Sequence, residues 1–241
     1  MSAPLLRLRG VHTHIGAYHI LHGVDLDVPR GEVTMLLGRN GAGKTTTLRT
    51  IMGLWTASQG QITFGGDEIG ALNTPAIAQK NIAYVPENMG IFSDLTVKEN
   101  MVLAARSAKN ASQMDGVRLQ WIFQLFPAVE KFWNHPAGKL SGGQKQMLAV
   151  ARAMVEPRDL LVIDEPSKGL APAIVDNMIH ALRQLKDSGV TVLLVEQNMH
   201  FAQQLGDSVA VMDNGRVVHA GRMQALAQDA VLQKSLLGLA L

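Results

Sequence analysis

The stretch GRNGAGKTT at 38–46 fits the spacing G-x-x-x-x-G-K-[ST] throughout, and it stands between the apolar run VTMLL and the helix-like TTTLRTIMG. Glycines at that spacing let backbone N–H groups curve around phosphate oxygens with no Cβ in the way, and the helix N-terminus adds a favourable dipole. Gly38, Arg39, Asn40, Gly41, Ala42, Gly43, Lys44, Thr45 and Thr46 are therefore the expected phosphate-binding residues. Lys44 is placed to reach the β- and γ-phosphates of a nucleotide, and the Thr45 hydroxyl to ligate Mg²⁺.

Two further strand ends carry polar groups. LLVIDEP at 160–166 is an apolar run that ends on Asp164, placed to hold Mg²⁺ through water. Glu165 follows one position on, where it can polarise an attacking water as general base. TVLLVEQNMH at 191–200 runs from apolar and β-branched residues straight into Glu196, Gln197 and Asn198. A buried strand that stops on polar side chains delivers them to a site. Between the first loop and these strands lies LSGGQKQMLAVARAMVEP, 140–157. Its Ser141, Gly142, Gly143 and Gln144 open a helix, so hydroxyl and N–H groups there form a second anion site. One chain already holds its nucleotide on the first loop. A second phosphate receptor far along the chain points to a nucleotide sandwiched between two subunits.

The elements that must position these groups follow from patterning. Residues 5–36 read as β-rich, through LLRLRGV and VTMLLG, and a hairpin follows at 61–69 with Gly65-Gly66 at its turn. From about 94 to 140 apolar residues fall at helical spacing, in LTVKENMVLAARSA and GVRLQWIFQLFPAVEKFW. After 141 the strands DLLVID and TVLLVE alternate with helices, as in a parallel sheet. A last hairpin, SVAVMDNGRVVHAG, turns at Asn214-Gly215, and MQALAQDAVLQKSLLGL reads as a terminal helix. The expected architecture is an α/β phosphate-loop core interrupted by a helical insert.

Bulk properties narrow the classes. With 47% apolar and 17% charged residues the chain is globular. A net charge of +2 without a basic, aromatic-interleaved run argues against nucleic acid as a partner, despite a pI near 9.0. There is no cysteine, which removes disulfides and thiolate metal sites. The N-terminal MSAPLLRLRGVHTH lacks the apolar core of a signal peptide, and no window reaches the ~18 apolar residues of a membrane span. Action at a membrane would need a partner.

The order of phosphate loop, helical segment, LSGGQ and VIDEP resembles the ATP-binding subunit of ATP-binding cassette (ABC) transporters, over essentially the whole chain. That resemblance implies a phosphate-loop NTPase (RecA-like) core with an antiparallel β-subdomain, over 1–93 and 141–241, and an inserted α-helical subdomain at about 94–140. It also implies ATP and Mg²⁺ as ligands and a head-to-tail dimer that closes on ATP. The stretch after Tyr84-Val85-Pro86 would face membrane subunits, and Ser167, Lys168, Gly169 and Leu170 would cross between the two sites. YVPENMGIFSDLTVKEN, LFPAVEKF, EPSKGLAP and LLVEQN are closer still to the smaller ATPase subunit of branched-chain or hydrophobic amino acid importers. The implied partners are a second ATPase subunit, identical or different, transmembrane permease subunits and, indirectly, a periplasmic solute-binding protein. The implied place is the cytoplasmic face of the inner membrane. Two alternatives remain open: a weakly hydrolysing regulatory half of a heterodimer, and an ATPase serving lipid export.

Several positions depart from the family. Glu87 stands where most cassettes have glutamine, and Gln197 where they have histidine. The Glu87 carboxylate can ligate Mg²⁺ or orient water, and Gln197 can donate an amide N–H to a γ-phosphate but carries no charge. The expected result is firm ATP binding with less electrostatic help in hydrolysis. Ile15 falls where an adenine-stacking aromatic is expected, with Tyr18 the nearest substitute. Lys168 replaces a leucine, and NMG at 88–90 replaces a more basic stretch. His200, three residues past Gln197, is not expected to substitute for the missing histidine. His12, His14, His19 and His22 cluster without carboxylate or cysteine partners at ligand spacing. Trp121, Phe123 and Phe126 are read as core, with a groove that receives a helix of the membrane partner as the alternative, and the 12 methionines as core filler.

Overall fold

The computed structural model describes residues 3–106 and 108–238. Two sheets form the frame. The first, of order β2-β1-β4-β5, is antiparallel: β1 (Leu6–Ile15), β2 (Tyr18–Val28), β4 (Ala57–Phe64) and the short β5 (Asp67–Glu68). The second, of order β10-β9-β3-β8-β7-β6, comprises β3 (Val33–Gly38), β6 (Ile82–Val85), β7 (Leu160–Asp164), β8 (Thr191–Val195), β9 (Ser208–Asp213) and β10 (Arg216–Arg222). All of its neighbours pair in parallel except β9 with β10.

Parallel pairing puts the carboxyl ends of β6, β7, β8 and β3 on one edge, which is where ligands bind in open α/β sheets. Strands β3, β7 and β8 are buried at every residue, as expected of strands covered on both faces. Their alternating side chains feed two cores. Met35, Leu37, Leu161, Ile163 and Leu194 pack with the helices, whereas Leu36, Leu160, Val162, Leu193 and Val195 pack toward α1 (Lys44–Ile51) and the antiparallel sheet.

The helical stretch consists of α3 (Val97–Ala104), α4 (Gly116–Leu125) and α5 (Pro127–Lys131), after α2 (Thr74–Gln79). Thr96 and Glu99 start α3 with a reciprocal capping box, and Asp115 caps α4. The long helix that GVRLQWIFQLFPAVEKFW suggests is broken at Phe126. Its φ of −130° and ψ of 74° are non-helical because Pro127 disfavours helical geometry in the residue before it. Phe123 and Phe126 are buried and Trp121 packs against the same core, which also holds residues of α6 (Gly142–Met154), α7 (Pro172–Asp187) and α8 (Met199–Leu205). The C-terminal segment is likewise two helices, α9 (Met223–Gln228) and α10 (Ala230–Leu237), because Asp229 caps a new start by accepting from the Leu232 N–H at 2.8 Å. The first hairpin has its turn at Gly65-Gly66, but its leading strand begins at Ala57, through exposed polar residues that pair with β1.

The β9–β10 turn at Asn214-Gly215, both with positive φ, ties the two sheets together. Gly215 N–H donates to the Ala42 carbonyl at 3.0 Å, and its own carbonyl accepts from His22 N–H at 2.9 Å.

Candidate functional site

The phosphate loop joins β3 to α1. Gly38 has φ 147°, and a Cβ there would strike the Met212 carbonyl. Gly43, the residue before α1, has φ 101°, and a Cβ would approach Leu21 to 3.0 Å. Only glycine meets both constraints. Lys44 is buried and curls back over the loop, donating to the carbonyls of Gly38 at 2.9 Å and Arg39 at 3.1 Å. Burial lowers its pKa, and the charges of Glu165 and then Asp164 work against that lowering.

Asp164 at the end of β7 is fully buried. Its Oδ1 accepts from the Thr45 hydroxyl at 3.1 Å, and the Tyr84 hydroxyl lies 3.5 Å from Oδ2. Desolvation raises the Asp164 pKa to about 6, against the Thr45 hydrogen bond, and burial raises the Tyr84 pKa to about 12. A buried carboxylate and a hydroxyl side by side, with no cation paired to Asp164 among the described residues, form a hard-oxygen donor set of the kind Mg²⁺ takes.

Glu165 has φ 48°, a strained conformation for a side chain of this kind, held by its N–H bond to the Val195 carbonyl at 2.9 Å. One carboxylate oxygen accepts from the Gln197 amide at 2.5 Å and lies 3.8 Å from the Lys44 ammonium. The same Gln197 amide nitrogen donates to Asn40 Oδ1 at 2.8 Å. Gln197 thus joins the phosphate loop to Glu165. Glu87, exposed just after β6, accepts from Lys168 Nζ at 2.5 Å, and Lys168 also lies 3.4 Å from the other Glu165 oxygen.

Glu196, 2% exposed, takes no part in the expected chemistry yet organises the edge. Its carboxylate accepts from the backbone N–H of Ser167 at 2.9 Å, Gln197 at 3.0 Å and Asn198 at 3.1 Å. It thereby clasps the loops after β7 and β8. Burial raises its pKa, against the Ser167, Asn198 and Gln197 hydrogen bonds. This role was not read from the sequence, where the signal for it is a carboxylate directly after a wholly buried strand.

Ser141 caps α6 in a capping box: its hydroxyl accepts from Gln144 N–H at 3.3 Å and Gln144 Oε1 accepts from Ser141 N–H at 2.9 Å. Gly143 packs on Ile174, where a Cβ would come within 2.7 Å. Ser141, Gly142 and Gln144 share no hydrogen bond with the phosphate loop among the described residues. Ile15 and Tyr18 pair across the β1–β2 tip, with Tyr18 76% exposed. His200 points elsewhere, its Nε2 4.0 Å from Asp176. The rings of His14 and His19 stack at 4.2 Å, His19 meets His22 at 4.0 Å, and His12 Nδ1 lies 3.0 Å from His19 Nε2. Among the described residues no group of three or more His, Asp or Glu is arranged to hold a metal ion by itself.

A phosphate loop, an apolar strand ending in Asp-Glu and a polar strand end between them define a phosphate-loop NTPase cassette. A family profile described as ABC transporter matches residues 21–168. The chain is 38% identical over 97% of its length, and all of the relative's, to the high-affinity branched-chain amino acid transport ATP-binding protein BraG of Pseudomonas aeruginosa. It is 35% identical, over 92% of its length and 93% of the relative's, to the probable branched-chain amino acid transport ATP-binding protein LivF of Archaeoglobus fulgidus. Its fold superposes with TM-score 0.80 on the dimeric post-hydrolysis state of the ATP-binding cassette MJ0796 bound to ADP and Pi, at 24% identity, covering 90% of this chain and 98% of that one. The chain belongs to the ABC transporter family, as an ATP-binding subunit and ATPase.

Proposed function

We propose that this chain energises the uptake of branched-chain or other hydrophobic amino acids through membrane permease subunits, by binding and hydrolysing ATP·Mg²⁺ between two cassettes. The placement of Glu165 carries the reading. Its carboxylate stands within reach of Lys44, Gln197 and Lys168, beside Asp164 and Thr45. The phosphate loop from Gly38 to Thr46 receives the phosphates, with Lys44 turning from the loop carbonyls to the β- and γ-oxygens. Thr45 and Asp164, with Glu87, would hold Mg²⁺, which when bound neutralises phosphate charge. Glu165 accepts the proton of the attacking water, and Gln197 orients Glu165 and the loop together.

Ser141, Gly142, Gly143 and Gln144 serve the nucleotide of the opposing subunit, which accounts for their separation from this chain's own loop. ATP favours the closed pair because only that state offers both receptors, a differential affinity between two states. The amino acid solute is proposed from BraG and LivF, whose names carry it. Among the described residues no helix is long and apolar enough to cross a membrane, so permease subunits supply the path. A cleft of about 300 Å³ lined by Pro86, Met89, Gly90, Ala149 and Arg152 is proposed to receive them. Its Arg152 donates to the Gly90 carbonyl and leaves a buried Nε without a partner.

Steady-state hydrolysis by the purified chain tests the reading, with Glu165→Gln as comparison. Turnover should fall by roughly 10²–10⁴-fold with nucleotide affinity retained, as for loss of a general base. Undiminished turnover in the variant would refute it.

A further inference from the structure

Two carboxylates that the proposed reaction uses come from separate loops, and one ammonium holds both. Lys168, on the loop between β7 and α7, reaches Glu87 at 2.5 Å and Glu165 at 3.4 Å. Its side chain is 58% exposed, so packing does not explain where it points. Glu165 has Lys44 and Gln197 on its other oxygen, whereas Glu87 pairs with no cation but Lys168 among the described residues.

We propose that Lys168 is a positioning residue that competes with the divalent cation: without nucleotide its ammonium holds Glu87 beside Glu165, and Glu87 becomes available to Mg²⁺ only when that pair opens. The inference rests on the reading of Thr45, Asp164 and Glu87 as the Mg²⁺ end of the site. An ammonium and Mg²⁺ seek the same hard oxygen, and a paired Lys168 also offsets one of the negative charges that would attract the metal. Because the pair is partly exposed, its grip is modest and its effect graded. Lys168 therefore sets how much Mg²⁺ the cassette needs. A leucine here would leave Glu87 unpaired and the site more receptive to the metal.

The test is equilibrium binding of fluorescently labelled ADP to the purified full chain across a Mg²⁺ titration, with no turnover involved. Lys168→Met should lower the half-saturating Mg²⁺ about two- to fivefold, as expected for release of an exposed pair. Lys168→Arg, which keeps the pair, should match the wild type. In a Glu87→Gln background the Lys168→Met shift should shrink to what loss of the charge beside Glu165 leaves, since a double-mutant cycle isolates the Lys168–Glu87 pairwise effect. No shift in Lys168→Met, or one of undiminished size in the Glu87→Gln background, would overturn the proposal while leaving the metal site standing. Asp164→Asn separates the two readings, because it should raise the Mg²⁺ requirement whatever Lys168 does. If it leaves the Mg²⁺ dependence unchanged, the metal site and this proposal fall together.

Discussion

The amide nitrogen of Gln197 donates to the Glu165 carboxylate at 2.5 Å while the same group reaches Asn40 of the phosphate loop at 2.8 Å. A neutral amide has two N–H groups on one nitrogen and can serve both acceptors at once. The residue at the histidine position therefore joins the Glu165 carboxylate to the phosphate loop.

Gln197→Ala should lower kcat for ATP by about 10²-fold, the cost of losing orientation at a reacting group, with KM changed little. Steady-state kinetics would read the split. A rise in KM at constant kcat would instead place Gln197 in nucleotide binding alone.

Glu196→Gln should destabilise the fold. One carboxylate satisfies three backbone donors, and an amide turns its NH₂ toward at least one of them. A buried donor left without a partner costs about 1–3 kcal/mol. Thermal unfolding should shift down by roughly 3–8 °C, and an unchanged Tm would remove the clasp from the argument.

Asp164 sets a pH dependence in the metal-free protein. Folded, its pKa is about 6; unfolded, it loses its proton near 3.9. Between those values the folded state binds the extra proton, so this group's contribution to stability falls as pH rises through the window. The penalty is absent below the lower value and fully present above the upper one, on the order of 1–3 kcal/mol. In Mg²⁺-free buffer, Asp164→Asn should therefore gain on the wild type between pH 4 and 6.5. Parallel melting curves across that range would contradict the assignment.

Tyr18→Ala should raise the Kd for ATP about two- to tenfold, because an exposed ring at the β1–β2 tip offers a stacking face that Ile15 lacks. Calorimetry on Tyr18→Ala and Ile15→Ala distinguishes them. Weakening confined to Ile15→Ala would move the adenine contact to the aliphatic residue.

The candidate site was legible in the sequence wherever its residues are neighbours in the chain. Gly38 through Thr45 and Asp164-Glu165 announce themselves because loop geometry and strand ends are local properties. The Lys168–Glu87 pair was not readable, since it joins positions 81 residues apart and depends on where two loops emerge from the sheet. Glu196 was noted as a polar strand end, but three backbone N–H groups converging on it are a tertiary fact. Among the elements, the helix break at Phe126 was available from Pro127 and was hidden by the strong apolar period on either side. The early start of β4 had no apolar signal at all, because its first residues pair at the backbone with their side chains in solvent.

The strap from Ala42 through Gly215 to His22 has a mechanical consequence. It ties the phosphate loop to both sheets by peptide bonds and hydrogen bonds alone, with no flexible side chain in the path. The two sheets and the loop are thus joined by one backbone path. A phosphate that shifted this loop would load both sheets at once through the Gly215 turn, with no side-chain rotamer in the path to absorb the movement.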